Sequence, residues 1–475
     1  MRSSTSLQGL LPLLHARNQE KYPEKILQFG TGVLLKGLPD FLLQKAREAG
    51  VFSGSVVLVK STGRTGQTPG EGQYLMYEHG IKEGRDHEEW HLVDMISREL
   101  HAGSQWDQVL ELACSPDLEI VLSNTTEAGL VYVKEDFLHQ IPGSFPARLT
   151  ALLYARFKAG LQGLVVIPCE LVPDNGKILR QFVLQHCGDQ NLGLEFETWL
   201  EEQVFFCNSL VDRIVSGAMT EEKHQALEAE AGQQLPPVIE TEPYLLWAIE
   251  CPAQIRSRLG WMGVHPNWIL SDDISVYRER KLRILNGTHT MMVAYGFLKG
   301  FETVLECMRD PEFSAFTEGM VFEEIVPATP VDEQVALSFA SDVLDRFRNP
   351  QIRHELLNIC FQYTMKMAMR NLPTIERYES RFGYPPQKMA TGFAAYLHFL
   401  NPHPDEKGGW MGKFRGKTFE IQDDRAQVFS RLRKEPGFPQ TVFSSKELWA
   451  DFVFSDGFKK AVVAEFDRLK LELEL

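Results

Sequence analysis

Three side chains within one short run carry groups that suit carbonyl chemistry. They are the amine of Lys281, the carboxamide of Asn286 and the imidazole of His289, in Lys281-Leu282-Arg283-Ile284-Leu285-Asn286-Gly287-Thr288-His289. At about 100° per residue they fall at about 0°, 140° and 80° around a helix, one arc able to line one cavity. In such a cavity the amine exchanges a hydroxyl proton, the amide stabilises a developing oxyanion and the imidazole orients or hydrogen-bonds. The spacing suits a solvent-facing polar stripe equally well. Gly287 costs about 1 kcal/mol relative to Ala inside a helix, so a close approach is expected there. Lys366 and Arg370, four apart on a later helical run, form a basic patch that suits either an anionic substrate or an ordinary exposed face.

A second set of residues suits a dinucleotide. The segment Gln28-Phe29-Gly30-Thr31-Gly32-Val33-Leu34-Leu35 runs from a strand through two glycines into a helix. Glycines there let backbone N–H groups and a helix N-terminus approach a pyrophosphate. Leu35 stands where the third glycine of the full fingerprint would be. The acid that usually reads the ribose after the second strand is absent. Lys60-Ser61-Thr62-Gly63-Arg64 takes its place, so Lys60 and Arg64 either accept a 2′-phosphate or belong to a solvated loop, and NAD against NADP stays open. After another buried strand come Asn124, Thr125, Thr126 and Glu127, placed to contact cofactor or substrate or simply to cap the next helix. His87-Glu88-Glu89-Trp90-His91 matches a zinc motif, but its surroundings read as extended chain. Residues four apart in a strand lie roughly 13 Å from each other, too far to share an ion, so no metal is expected.

These residues need a scaffold to position them. Lys25–Phe29, Ser55–Lys60, Leu118–Ser123 and Gly163–Pro168 are short continuous apolar runs, the pattern of strands buried on both faces of a parallel sheet. Helical patterns separate them. Beyond about residue 270 long helical stretches dominate: 281–299, 331–347, 354–369, 426–434 and 458–473. The expectation is an α/β Rossmann-type N-terminal domain over residues 1–270, then a mostly α-helical substrate and catalytic domain over 271–475. The segment before Lys25 reads as a terminal arm, and Thr65–Gln73, rich in Gly and Thr, as a mobile loop.

Composition narrows the partners. The 475 residues are 44 % hydrophobic and 24 % charged, a globular balance. With 49 Lys and Arg against 64 Asp and Glu, the net charge of −15 repels phosphate backbones and anionic lipid, so neither nucleic acid nor membrane is expected as a partner. The seven cysteines are scattered singly, which points to a reducing cytoplasm.

Together the motifs resemble the long-chain polyol dehydrogenases, the mannitol dehydrogenase group. Phe206-Cys207-Asn208-Ser209-Leu210-Val211-Asp212-Arg213-Ile214 is similar to that family's F-x-N-S-x-V-D-R-I signature, and Lys281/Asn286/His289 to its K-x4-N-x2-H motif. Ile26–Gly30, Ser123–Gly129, Thr241-Glu242-Pro243-Tyr244 and Tyr277–Lys281 resemble its uronate-reducing branch. The resemblance implies reversible hydride transfer between NAD(H) and the C5 keto group of a hexuronate, giving an aldonate, with no metal. Lys281 is then the general acid in reduction, with Asn286 and His289 supporting it. Reduction of a different keto-hexuronate and oxidation of a polyol remain the alternatives. Polyol-oxidising relatives carry C-D-N where this chain has Cys169-Glu170-Leu171, so half of their oxyanion hole is missing here.

Overall fold

The computed structural model describes residues 7–15, 21–61, 72–125 and 129–474. It divides into two compact units, Met1–Gly80 with Asp86–Ile274, and Ile81–Arg85 with Ser275–Leu475.

The first unit contains the strands β1 (Glu24–Phe29), β2 (Ser55–Lys60), β3 (Tyr74–Lys82), β4 (Arg85–Val93), β5 (Ile96–His101), β6 (Ile120–Ser123), β7 (Val165–Pro168) and β8 (Phe205–Phe206). Six of them form one parallel sheet in the order β5-β2-β1-β6-β7-β8. The four strands read from the sequence lie at its centre. Their alternate residues feed two separate cores. Ile26, Val56, Leu58, Ile120, Leu122, Val165 and Ile167 pack on one face. Leu27, Phe29, Val57, Val59, Val121 and Val166 pack on the other. Burial on both faces explains why these strands are apolar throughout rather than alternating. The chain order reverses between β1 and β6, which is where open α/β sheets leave a crevice at the strand ends.

Three features of this unit go beyond the sequence expectation. The strands β3 and β4 form a small sheet with Val215–Ala218 and Val238–Thr241. A further sheet joins Asn208–Asp212, Leu246–Glu250 and Trp268–Ser271. The N-terminal arm contains a helix, Leu7–His15, whose Leu7, Leu11 and Leu14 pack against Leu75, Trp90, Leu235 and Val238. Most of the Thr65–Gln73 segment lies outside the described residues.

The second unit is mostly helical, with one small sheet at His403–Pro404, Trp410–Phe414 and Lys417–Glu420. A long helix runs through Ser275–Arg280, widens to π geometry over Lys281–Gly287, and resumes as Thr288–Lys299. Its last part is the core of the unit, with Met291, Met292, Val293 and Ala294 fully buried. The run 354–369, expected as one helix, is broken in two, Leu356–Ile359 and Tyr363–Arg370. The break falls at Gln362, whose φ is +50° and whose N–H donates to the carbonyl of Gln422. Asp423 restarts the helix by accepting from the backbone N–H and hydroxyl of Thr364 at 2.7 and 2.8 Å. The helix Glu333–Arg348 is capped by Asp332. Among the described residues no helix is long and apolar enough to cross a membrane.

Candidate active site

In the first unit, the ends of β1 and β6 come together at Gly30. Its φ of +119° and a Cβ position only 2.7 Å from the carbonyl oxygen of Asn124 leave room for glycine alone. Gly32 differs. It has ordinary extended backbone, and a Cβ there meets nothing within 4 Å. Leu35, in the third glycine's place, is fully buried, and its Cδ1 lies 3.3 Å from that same Gly30 Cβ position. The tight helix packing falls instead to Gly37, where a Cβ would meet Val215 at 2.6 Å. Sequence reasoning missed Gly37 because the contact is with a distant strand.

The other residues expected to hold a cofactor fall into two groups. Gln28 and Phe29 point inward: Gln28 donates to Asp40 at 3.3 Å, and Phe29 packs on Phe145. Burial pushes the Asp40 carboxyl up to about 7, against the Gln28 hydrogen bond that lowers it. Thr31 and Leu34 are half-buried, while Gly32 and Val33 are exposed. Lys60 is half-buried at the end of β2, 4.0 Å from Glu99. Asn124 donates to the Cys169 carbonyl at 2.7 Å. Thr125 donates to Glu170 from its N–H at 2.9 Å and its hydroxyl at 3.0 Å, and Ser123 donates to the same carboxylate at 3.1 Å. Glu170 therefore shapes this loop, a role not visible in its sequence position. Its burial raises its pKa, and those hydrogen bonds act against the rise. Thr126, Glu127 and Arg64 lie outside the described residues. Leu171 is 59 % exposed and offers no side-chain donor.

The zinc-like motif lies on β4, as extended chain. What the sequence did not reveal is Glu78 on the neighbouring strand: Glu78, His87 and Glu89 each bring one ligand atom within 4.8 Å of the others. This group is already neutralised by protein. His87 donates to Glu78 at 2.8 Å, and Arg213 donates to the other Glu78 oxygen at 2.5 Å. Burial raises the Glu78 pKa, but these partners hold it down at about 2. His91 turns to Lys45 at 3.2 Å instead. Arg213, from the F-x-N-S-x-V-D-R-I run, also donates to the carbonyls of Gly37 and Glu242 and lies over the Phe41 ring. That signature builds the scaffold beneath the glycine turn.

In the second unit, Lys281, Asn286 and His289 are all half-buried. The π widening alters the arc expected at α-helical pitch. In a π turn the hydrogen-bonded neighbours are five apart, so Asn286 sits one turn along from Lys281 on the same side. The close approach expected at Gly287 is to Asn371, whose Nδ2 lies 3.2 Å from the Cβ position. His289 stacks on Phe347 with ring centres 4.2 Å apart and meets His354 edge-on at 5.5 Å. Its Nε2 is buried with no hydrogen-bond partner among the described residues. Burial first, then the charges of His354, Arg346, Arg370 and Lys366, push the His289 pKa well below the usual imidazole value. The ring is therefore neutral at physiological pH.

Lys366 and Arg370 project from the adjoining helix. Lys366 donates to the Ile359 carbonyl at 3.0 Å; its pKa is lowered by burial and then by Arg370. Arg370 donates to the Thr290 hydroxyl at 3.1 Å, its Nε is buried without a partner among the described residues, and burial lowers its pKa to about 10. The structure thus gathers four cationic or titratable groups around His289. Two of them, Arg346 and His354, carried no sequence signal, because only the folding of separate helices brings them there.

Known proteins place the chain among relatives. Residues 24–263 match the mannitol dehydrogenase Rossmann domain, and residues 273–470 match the mannitol dehydrogenase C-terminal domain. The chain belongs to the mannitol dehydrogenase family. It is therefore an oxidoreductase of the kind that acts on CH–OH groups. Similar family members include the altronate oxidoreductase of Enterobacter sp. strain 638, 34 % identical and matched over 95 % of both chains. The altronate oxidoreductases of Halalkalibacterium halodurans and Bacillus subtilis are 35 % and 37 % identical, over 87 % and 80 % of this chain and 83 % and 80 % of theirs. Among solved structures, D-sorbitol dehydrogenase has a TM-score of 0.76 at 20 % identity, covering 95 % of this chain and 94 % of that one. The ternary complex of Pseudomonas fluorescens mannitol 2-dehydrogenase with NAD and D-mannitol scores 0.65 at 23 % identity, covering 96 % and 94 %. These two likenesses establish the Rossmann-plus-helical fold of the family.

Proposed function

We propose that this family member catalyses the NAD-dependent, reversible reduction of D-tagaturonate to D-altronate, with hydride transfer at the C5 keto group. The observation that carries the reading is the paired cation, Lys366 and Arg370, whose Arg370 Nε has no partner among the described residues beside the turn bearing Lys281, Asn286 and His289. A polyol has no charge to occupy such a seat; a hexuronate carboxylate does. The curated relatives named altronate oxidoreductase point the same way.

The glycine turn fits a dinucleotide. Gly32 leaves open space where a Cβ would stand, as backbone N–H groups need if a pyrophosphate is to approach them. Thr31, Gly32 and Val33 at the helix start, with Lys60, Asn124 and Thr125 at neighbouring strand ends, would hold NAD. When bound, its nicotinamide supplies or accepts the hydride. Lys281 gives its proton to the carbonyl oxygen during reduction and takes the hydroxyl proton in the reverse direction. Asn286 donates its amide N–H to that oxygen as negative charge develops. The neutral His289 hydrogen-bonds a neighbouring hydroxyl through Nε2, which has no partner among the described residues. Lys366 and Arg370 grip the carboxylate and so set which carbonyl faces Lys281. The cysteines, all unpaired and six of them buried, suit a reducing cytoplasm.

The deciding experiment measures NADH and NADPH oxidation with D-tagaturonate, D-fructuronate and D-fructose. The expected result is preferred turnover of D-tagaturonate with NADH. A preference for fructose would overturn the carboxylate reading, and a preference for fructuronate would move the enzyme to a sibling activity.

A further inference from the structure

Within the second unit, the turn bearing Lys281 and the helix bearing Arg370 are tied in both directions. From the π turn, Arg283 donates through Nη1 to the carbonyls of Met369 at 2.6 Å and Arg370 at 3.0 Å, while its Nε holds Glu279 at 3.0 Å. In return, Asn371 Nδ2 donates to the Gly287 carbonyl at 3.0 Å, and Arg370 Nη1 reaches toward the Asn286 carbonyl at 3.5 Å. The receiving carbonyls lie where a helix leaves its own groups unsatisfied. Met369 and Arg370 end the helix Tyr363–Arg370, and Asn286 and Gly287 close the widened turn. Arg283 is 7 % exposed and Asn371 1 %.

We propose that Arg283 is a positioning residue for this reaction. It holds the end of the helix Tyr363–Arg370 in register with the turn that carries Lys281 and Asn286. The group that binds the carboxylate and the group that moves the proton thereby keep a set separation. Arginine suits the task because its planar fork reaches a carboxylate and two carbonyls at once, which a single ammonium does not. Its Nε and Nη1 are taken up by Glu279 and by the two helix-end carbonyls, so through these contacts it acts on Arg370 rather than on the substrate. This inference rests on the hexuronate reading above, and its test separates the two.

The test is a double-mutant cycle on the full chain, reading kcat and KM for D-tagaturonate and for NADH in the wild type, Arg283→Gln, Arg370→Ala and the double variant. Absence of wild-type turnover with D-tagaturonate defeats the hexuronate reading itself, and the cycle then runs on whichever ketone the enzyme reduces. Arg283→Gln is expected to lose about 10- to 100-fold in kcat/KM for the keto substrate, the range of lost charge-assisted hydrogen bonds. Its KM for NADH should stay within about twofold of wild type. In the Arg370→Ala background the same substitution should cost little, because the group it places has gone. An undiminished loss in that background, or wild-type kcat/KM in Arg283→Gln, overturns the proposal. Should Arg283→Gln fail to fold by circular dichroism, Arg283→Lys and Asn371→Ala carry the same test. Each is expected to show a smaller loss confined to the keto substrate, and wild-type values in both overturn the proposal.

Discussion

Arg213 is buried in the first unit and Arg370 half-buried with a buried Nε in the second, and their hydrogen bonding is opposite. Arg213 uses its donors within the protein, on Glu78 and on the carbonyls of Gly37 and Glu242, and lies against Phe41. Arg370 keeps a buried Nε with no partner among the described residues and sits among further positive charge. A saturated buried cation holds a fold together. An unsaturated one is a cost that the fold bears for the sake of a ligand. The difference teaches which arginine is spent on the scaffold and which keeps a donor open to a ligand, though both are charged residues in apolar stretches of sequence.

The strongest way to break this contrast lies beside Arg370. Lys281→Ala is expected to lower kcat by about 10²–10⁴-fold, the range of general acid–base catalysis, while NADH binding followed by fluorescence survives. Near-normal turnover would remove the mechanism and with it the reason for a cationic seat. Next, Arg213→Met should cost about 3–5 kcal/mol of stability, because it leaves Glu78 buried without its cation. Denaturant unfolding measures this, and a stable variant with impaired substrate binding would reverse the roles of the two arginines. Arg370→Ala should instead raise KM for D-tagaturonate by about 10- to 100-fold with little change in unfolding midpoint.

Two smaller effects sharpen the comparison. His354 beside the cationic cluster is pushed down to about 4, by burial and then by Arg346. Its folded pKa lies below the unfolded value of about 6.5, so the unfolded chain binds the extra proton in between. Its contribution to stability is present above pH 6.5 or so and is lost as pH falls toward 4. Urea midpoints at pH 7 and pH 5 should therefore converge in His354→Gln relative to wild type. Last, Gly32→Ala should leave the unfolding free energy within about 0.5 kcal/mol yet raise KM for NADH, because nothing in the protein meets its Cβ. Gly30→Ala, against the Asn124 carbonyl at positive φ, should lower stability as well.

Much of the first unit was legible from local pattern. Ser55–Lys60 and Val165–Pro168 are apolar on both faces, and only a strand covered from both sides accepts that. The edge strand Ile96–His101 was not legible, because its Ser97, Arg98 and Glu99 are exposed and carry no apolar run. In the second unit, Lys281, Asn286 and His289 stood out by type and spacing, but the α-helical pitch assumed for them did not hold. A π turn leaves no composition signal; it is stabilised by Arg370 and Asn371 from a helix far along the chain. The break at Gln362 was hidden for the same reason, since its partners Gln422 and Asp423 are some sixty residues away in sequence.

Residue order alone therefore determined the parallel sheet, the helical second half, the glycine turn and the amine, amide and imidazole of the 281–289 run, since each follows from periodicity or from chemistry within a few neighbours. Tertiary structure alone decided that Arg213 is spent on the scaffold, that Arg346 and His354 join Lys366 and Arg370 around His289, and that the turn Lys281–Gly287 is widened. Those outcomes depend on which distant backbone and charged groups are brought within a few ångströms, and both hydrogen bonding and desolvation act only at that range.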